Sequence, residues 1–374
     1  MRVLYLTTSL KEEDYSALLK LPTKKPNPSN QNFHSKLIKC FEDNDLQVIS
    51  LLPVISKTKF INSGCYHYIN YGSKWEMLLF PRHKEVINEA RKIYRGKEKP
   101  EFIVFDSLSI PLGRAAKKLQ DIWGSKTVAV ITDNPANLSE VDGNFVEKVY
   151  EYVSYSNASI ALTDGLVEAF NLKEKQNLII PGVVESPVES KKEKYIYFGG
   201  ALYERYGVAN MIKGFLESSR PIELRIAGHG PLENDIQEIA KNYANLKYLG
   251  QVDKKENYAL EAGSSLLINP RFFDETLDKE SVPSKLLEYI SLGEVVVSTP
   301  NSIIKKHFED DINWIEDTSV ESWKSFFSHH IDENGNIYGL KENNAKEKIQ
   351  DLFGIEKTKS KINQFLDELN SASI

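Results

Sequence analysis

Two glutamates, Glu280 and Glu288, stand eight positions apart with Ser281, Pro283, Ser284 and Lys285 between them, and this stretch holds the densest chemistry in the chain. Serine is favoured just before a helix, proline is preset for a helix's first turn, and glycine suits its end. Ser281, Pro283 and Gly293 therefore predict a helix whose first N–H groups, near Ser284 and Lys285, face an anion. Lys285 adds a full positive charge, and the two glutamates lie along a track rising about 1.5 Å per residue. Such a tip can hold a diphosphate, with Glu280 towards an attached sugar and Glu288 towards a ribose, because carboxylates accept hydrogen bonds from paired hydroxyls. The competing expectation is ordinary helix capping beside a solvated acidic loop over 274–280.

Three other loops have the same character. Over 195–207 an apolar run ends in Gly199 and Gly200 and a helix is expected near Gly207, with Arg205 between. Glycines let a backbone approach a phosphate, and a helix N-terminus carries about half a positive charge. The G-x-G-x-x-G dinucleotide signature is missing here, which weighs against a nicotinamide cofactor. Over 224–231 a second run turns through Gly228, His229 and Gly230, where His229 reads more readily as a turn residue than as a catalytic one. Over 249–252, Gln251 and Val252 close a third run with backbone against which a base can lie edge-on.

These loops need a scaffold. Short apolar runs at 3–6, 46–52, 66–71, 102–105, 127–131, 159–162 and 178–180 alternate with amphipathic stretches. The alternation restarts after the polar stretch 183–194, with runs at 195–198, 223–227, 246–249, 265–269, 295–298 and 313–315. Continuous apolar strands separated by helices predict parallel sheets covered on both faces. The expected fold is α/β, with two Rossmann-like doubly wound lobes facing across a cleft and C-terminal helices returning towards the first lobe. The expected division is 1–184, 185–355 and a closing helix over 356–374. Ligands of such sheets bind beyond the carboxyl ends of the strands.

Composition removes other classes. The 374 residues are 41% hydrophobic and 27% charged, which excludes a disordered chain, and a net charge of −6 argues against nucleic acid as a partner. Cys40 and Cys65 are the only cysteines, too few to staple the chain, so a reducing cytoplasm is expected. No apolar run approaches the roughly 20 residues that span a bilayer, and no His or Cys cluster has metal-ligand spacing.

The order of these loops resembles the donor-binding lobe of GT-B glycosyltransferases, in particular glycosyltransferase family four of the bacterial surface-polysaccharide type. The resemblance is carried by residues 195–300, by Glu280 and Glu288 at the family's E-x₇-E spacing, and by the phrase VPSKLLEYISLG. The family's usual arginine and lysine of the first loop are replaced by Ala201 and Tyr206, with Arg205 beside the latter. The resemblance implies a retaining, metal-independent transfer of a hexose-type sugar from a nucleotide-sugar, UDP-linked, to a glycan or lipid-linked acceptor. It implies catalytic roles for Glu280, Asp133, Lys285 and Arg205. It places the donor on Gly199, Gly200, Gly228, His229, Gln251, Val252, Ser284, Lys285 and Glu288, with no cofactor beyond the donor. A non-catalytic sugar-nucleotide-binding subunit and a nucleotide-sugar 2-epimerase are the alternatives.

In the first lobe Asp133 follows a strand and reads equally as a polar contact to the donor sugar or as a helix cap. Asp106 has the same two readings. The long loop 7–30, with Lys20, Lys24, Lys25, Pro22, Pro26 and Pro28, is expected on the acceptor side together with Asn32, His34 and Asp106, although structural roles for Asn32 and His34 are favoured. The segment 74–84 mixes Trp75, Met77, Leu78 and Phe80 with Arg82 and Lys84. Core packing is the favoured reading of those side chains, and peripheral contact with a membrane surface is the alternative.

Overall fold

In a computed structural model, residues 1–21, 28–56, 59–138 and 141–371 are described. Among the described residues, thirteen strands form two wholly parallel sheets. The first contains β1 (Arg2–Thr7), β2 (Asp45–Ile55), β3 (Tyr66–Tyr71), β4 (Phe102–Asp106), β5 (Lys126–Ile131), β6 (Ala158–Ala161) and β7 (Gln176–Ile179). The second contains β8 (Tyr195–Gly199), β9 (Glu223–Ala227), β10 (Leu246–Tyr248), β11 (Leu266–Asn269), β12 (Val296–Ser298) and β13 (Asn313–Trp314). Their orders are β3-β2-β1-β4-β5-β6-β7 and β10-β9-β8-β11-β12-β13. In each, strand order reverses beside the first strand, so a crevice opens between β1 and β4 and another between β8 and β11. The α/β class and the two doubly wound sheets expected from the alternation are thus borne out.

The cores explain why these runs form central strands. Along β1, Val3 and Tyr5 pack into one apolar cluster while Leu4 and Leu6 pack into another on the opposite face. Along β8, Ile196 and Phe198 face one cluster and Tyr195 and Tyr197 the other. Successive side chains of a strand point to opposite faces, and only a strand covered on both sides is apolar at every position.

The chain folds as two compact units. The first comprises Met1–Val183, Lys279–Ser281 and Ile355–Ile374, and the second Val184–Asp278 and Val282–Gly354. The closing helix Ile355–Ser371 belongs to the first unit, where Ile362, Phe365, Leu366 and Leu369 join the cluster that covers Val3 and Tyr5.

Three local expectations are corrected. The segment 7–30 is not one loop, because a helix, Glu12–Leu19, forms inside it and buries Tyr15 and Leu18. Lys24, Lys25, Pro22 and Pro26 lie outside the described residues. The acidic segment 274–280 contains a short helix, Glu275–Glu280, rather than a plain loop. Core packing accounts for Met77, half-buried against the first unit's core, but not for Trp75, Leu78 and Phe80, which are exposed. The N-terminus of the helix there, Lys74–Leu79, is closed by Ser73, which accepts from the Glu76 N–H, and by Glu76, which accepts from the Gly72 N–H at 2.7 Å.

Candidate functional site

In the second unit the loops that follow the strands are held together by backbone. The Gly200 N–H donates to Ala227, the Gly228 N–H to Gly250, the Leu202 N–H to the carbonyl of His229, and the Phe272 N–H to the carbonyl of Arg205. Gly228 has φ +143°, and a Cβ there would lie 1.8 Å from the Gly200 carbonyl oxygen. A Cβ on Gly207, at φ +69°, would lie 1.9 Å from the Pro270 oxygen. These two glycines are required where loop meets loop. Gly228→Ala is expected to destabilise the second unit by about 3 kcal/mol, since it combines a backbone conformation rare for L-residues with a collision against fixed backbone. Urea unfolding measures this, and an unchanged midpoint would contradict the close approach.

The helix Ser284–Leu292 is preceded by Pro283 as its N-cap residue, which makes no side-chain capping hydrogen bond. Ser281 is therefore not the cap that its residue type suggested. It groups with the first unit. Ser284 at the tip is exposed, and the Leu286 N–H donates to the Pro283 carbonyl at 2.9 Å. Beside the tip, a small recess at the carboxyl ends of β11 and β12 is lined by Asn269, Arg271, Phe272, Pro283 and Asn301, and also by the carboxylate residues Asp274 and Asp278.

At the second position of that helix, Lys285 does not stand alone. Its Nζ is 2.7 Å from Glu288 Oε2 and 3.3 Å from Glu261 Oε1. Glu288 is 3% exposed and also accepts from the Tyr258 hydroxyl at 3.3 Å. Glu261 lies on the helix Lys254–Gly263, is 0% exposed, and accepts from Asn257 Nδ2 at 2.6 Å. Asn257 in turn accepts from the Tyr197 hydroxyl at 2.8 Å. The Tyr289 hydroxyl accepts from the Gly199 N–H at 2.9 Å, which ties this cluster to the glycine turn after β8. Burial pushes the Glu261 carboxyl up; Lys285 opposes that shift and Glu288 reinforces it. For Lys285 burial works against the charge, but Glu261 and Glu288 outweigh it and hold the ammonium strongly protonated.

The other expected donor contacts are placed as follows. Gly199 is buried and Gly200 half-buried at the end of β8. His229 is exposed and paired with Glu233. Gln251 is exposed, and Val252 packs partly against the core. Arg205 is exposed, its guanidinium 5.2 Å from the Tyr206 ring centre, and Arg271 reaches the same ring at 5.8 Å. Arg271 and Glu261 are the two charged residues of this region that residue types and spacing did not single out. Arg271 stands directly after Pro270, a signal of place that was available.

In the first unit, Asp106 and His34 come together beyond β1 and β4, both nearly free of solvent. Asp106 accepts from Asn30 at 3.1 Å, from Thr8 at 3.2 Å and from the Leu108 N–H at 3.1 Å. His34 Nδ1 shares a 2.8 Å hydrogen bond with the Tyr5 hydroxyl, and its Nε2 is 3.7 Å from Asp106. Burial pushes the His34 pKa below its ordinary value despite Asp106, so the ring is neutral and belongs to a packed network. Asn32 is half-buried on the same helix, Pro28–Lys39. Asp133 is not a helix cap, because Asn134 caps the short turn Pro135–Asn137. Glu280 falls in the first unit, where its carboxylate accepts from Asn137 Nδ2 at 2.7 Å. Among the described residues, no group of three or more His, Cys, Asp or Glu side chains is placed to hold a metal ion.

Two wholly parallel sheets with interleaved helices match the GT-B fold of glycosyltransferase structures. Residues 183–346 match the family model of glycosyl transferases group 1, so the second unit carries a domain of that kind. In fold, the chain is similar to a sucrose-phosphate synthase from Thermosynechococcus elongatus, with TM-score 0.70, 13% identity and 100% of both chains covered. It is also similar to Anabaena HepE in complex with UDP-glucose, with TM-score 0.64, 11% identity, 99% of this chain and 100% of that one. A third similar structure is a lipopolysaccharide outer core galactosyltransferase in its apo form, with TM-score 0.58, 10% identity, 98% of this chain and 99% of that one. No curated protein matches the chain in sequence.

Proposed function

We propose that this chain transfers a hexose-type sugar from a nucleotide-sugar, UDP-linked, to a glycan or lipid-linked acceptor, with retention and without a metal ion, in cell-surface polysaccharide synthesis. The observation that carries the reading is the exposed tip of Ser284–Leu292, whose N-cap residue offers no capping side chain, with Lys285 in its first turn and a recess alongside. Stabilising the negative charge that develops on the leaving diphosphate is assigned to the tip amides, Lys285 and Arg205, groups of the kind that stabilise a developing anion. Arg271, 5.8 Å from the Tyr206 ring centre, is assigned the same role. Asp133 and Glu280 are assigned polar contacts to the transferring sugar, and the solved complex of HepE with UDP-glucose supports the choice of donor class. Incubation with UDP-, GDP- and ADP-sugars tests this: slow donor hydrolysis is expected. Interconversion of donors would mark an epimerase, and binding without turnover a non-catalytic subunit, the second reading that Ala201 and Tyr206 favour.

The chain is further assigned to the cytoplasmic face of a membrane. Among the described residues no helix is long and apolar enough to cross one. Trp75, Leu78, Leu79 and Phe80 are 74%, 71%, 69% and 52% exposed, and Lys74 and Lys84 are exposed at either end of their segment. Large apolar side chains beside cations suit an anionic lipid interface. The wild type is expected to sediment with phosphatidylglycerol vesicles. Replacing these four side chains by serine is expected to abolish that and leave donor hydrolysis intact, whereas equal sedimentation of both proteins would remove the assignment.

A further inference from the structure

We propose that Glu261 is a positioning residue that takes up a proton from solvent as the sugar-nucleotide binds, so that Lys285 meets the diphosphate opposed by one carboxylate instead of two. The proposal rests on the donor site described above and concerns a residue outside its loops. Glu261 Oε1 is 3.3 Å from Lys285 Nζ, while its Oε2 is buried and has no hydrogen-bond partner among the described residues. Two carboxylates on one ammonium leave the cluster net negative when both are ionised, next to a helix tip suited to an anion. An ionised oxygen buried without a donor costs several kcal/mol more than a neutral one. Of the two carboxylates, Glu288 has both oxygens engaged, by Lys285 and Tyr258. Glu261 is therefore the one that accepts the proton.

The groups facing Glu261 come from three elements. Lys285, Glu288 and Tyr289 face it from Ser284–Leu292, Tyr197 from β8, and Asn257 and Tyr258 from its own helix, with Glu185 beyond Tyr258. The hydroxyls of Tyr197, Tyr258 and Tyr289 are all pushed up by burial and stay neutral around neutral pH. Burial already raises the Glu261 carboxyl, and an anion near Lys285 raises it further. The sign follows: a site whose bound form holds the extra proton binds more tightly at low pH and loses affinity as pH rises through the bound-state pKa.

Calorimetric titration of the full chain with UDP-glucose, in phosphate and Tris buffers of different ionisation enthalpy, measures the protons taken up. The diphosphate diester of UDP-glucose has no group titrating near neutrality, so uptake reports on the protein. The wild type is expected to take up a fraction of a proton, and its Kd to rise about fivefold from pH 6.5 to 8.5. Glu261→Gln is expected to bind with less uptake and about the same Kd across that range. Steady-state kinetics should show the pH effect in the donor KM with kcat unchanged. Zero uptake in the wild type overturns the proposal whether or not the variant folds, as does equal uptake in both proteins. Binding of none of UDP-, GDP- or ADP-glucose overturns the donor site itself.

Discussion

Replacing Lys285 by methionine is expected to lower kcat for sugar transfer by roughly 10²–10³-fold, the loss seen when one preorganised donor to a developing anion is removed. Methionine keeps the apolar stem and deletes only the ammonium. The change also strips the counter-ion from Glu261 and Glu288, which are 0% and 3% exposed. Unpaired buried carboxylates destabilise by about 3 kcal/mol, so activity and stability fall together in the single variant. The double variant Lys285→Met with Glu261→Gln separates them, because it removes one of the two stranded charges. Its urea midpoint is expected to recover most of the loss while turnover stays low. Recovery of turnover together with stability would reduce Lys285 to a structural ion pair.

The second large effect is expected at Arg271 and Arg205. Neither Ala201 nor Tyr206 carries a charge, so cations of the first loop must come from the neighbours of Tyr206. Arg205 and Arg271 lie 5.2 and 5.8 Å from that ring, and the Phe272 N–H donates to the Arg205 carbonyl at 3.2 Å, which fixes one loop to the other. A charge-assisted hydrogen bond contributes about 1.5–3 kcal/mol, so each arginine-to-alanine change should raise the donor KM by about 10- to 100-fold. Arg271→Lys should recover only part, because a lysine has no bidentate fork. Donor kinetics of Arg271→Ala equal to wild type would leave the recess without its cation.

The alternation of apolar runs and amphipathic stretches made both sheets legible, because parallel strands covered on both faces are apolar throughout. Strand order was not, since no local signal says that β4 pairs with β1 or β11 with β8. The helix Glu12–Leu19 escaped because it buries only Tyr15 and Leu18, a single i, i+3 pair with no capping side chain before it. The spacing of Lys285 and Glu288 on one helix was readable, but that the two bind each other was not. Their third partner lies 24 residues before Lys285, on a helix whose sequence looks polar. The buried face of that helix, Asn257, Tyr258 and Glu261, is visible only once Ser284–Leu292 packs on it. Exposure at Trp75 was the reverse case: apolar side chains at helical spacing usually mean core, and here only Met77 of the helix, among the described residues, packs against the core.

Hydrogen–deuterium exchange of the full chain with and without UDP-glucose tests the central claim most directly. Peptides covering Ser284, Lys285 and Leu286, and the turn through Gly199 and Gly200, are expected to gain protection when the donor binds. Protection at neither segment while UDP-glucose demonstrably binds would contradict the donor site.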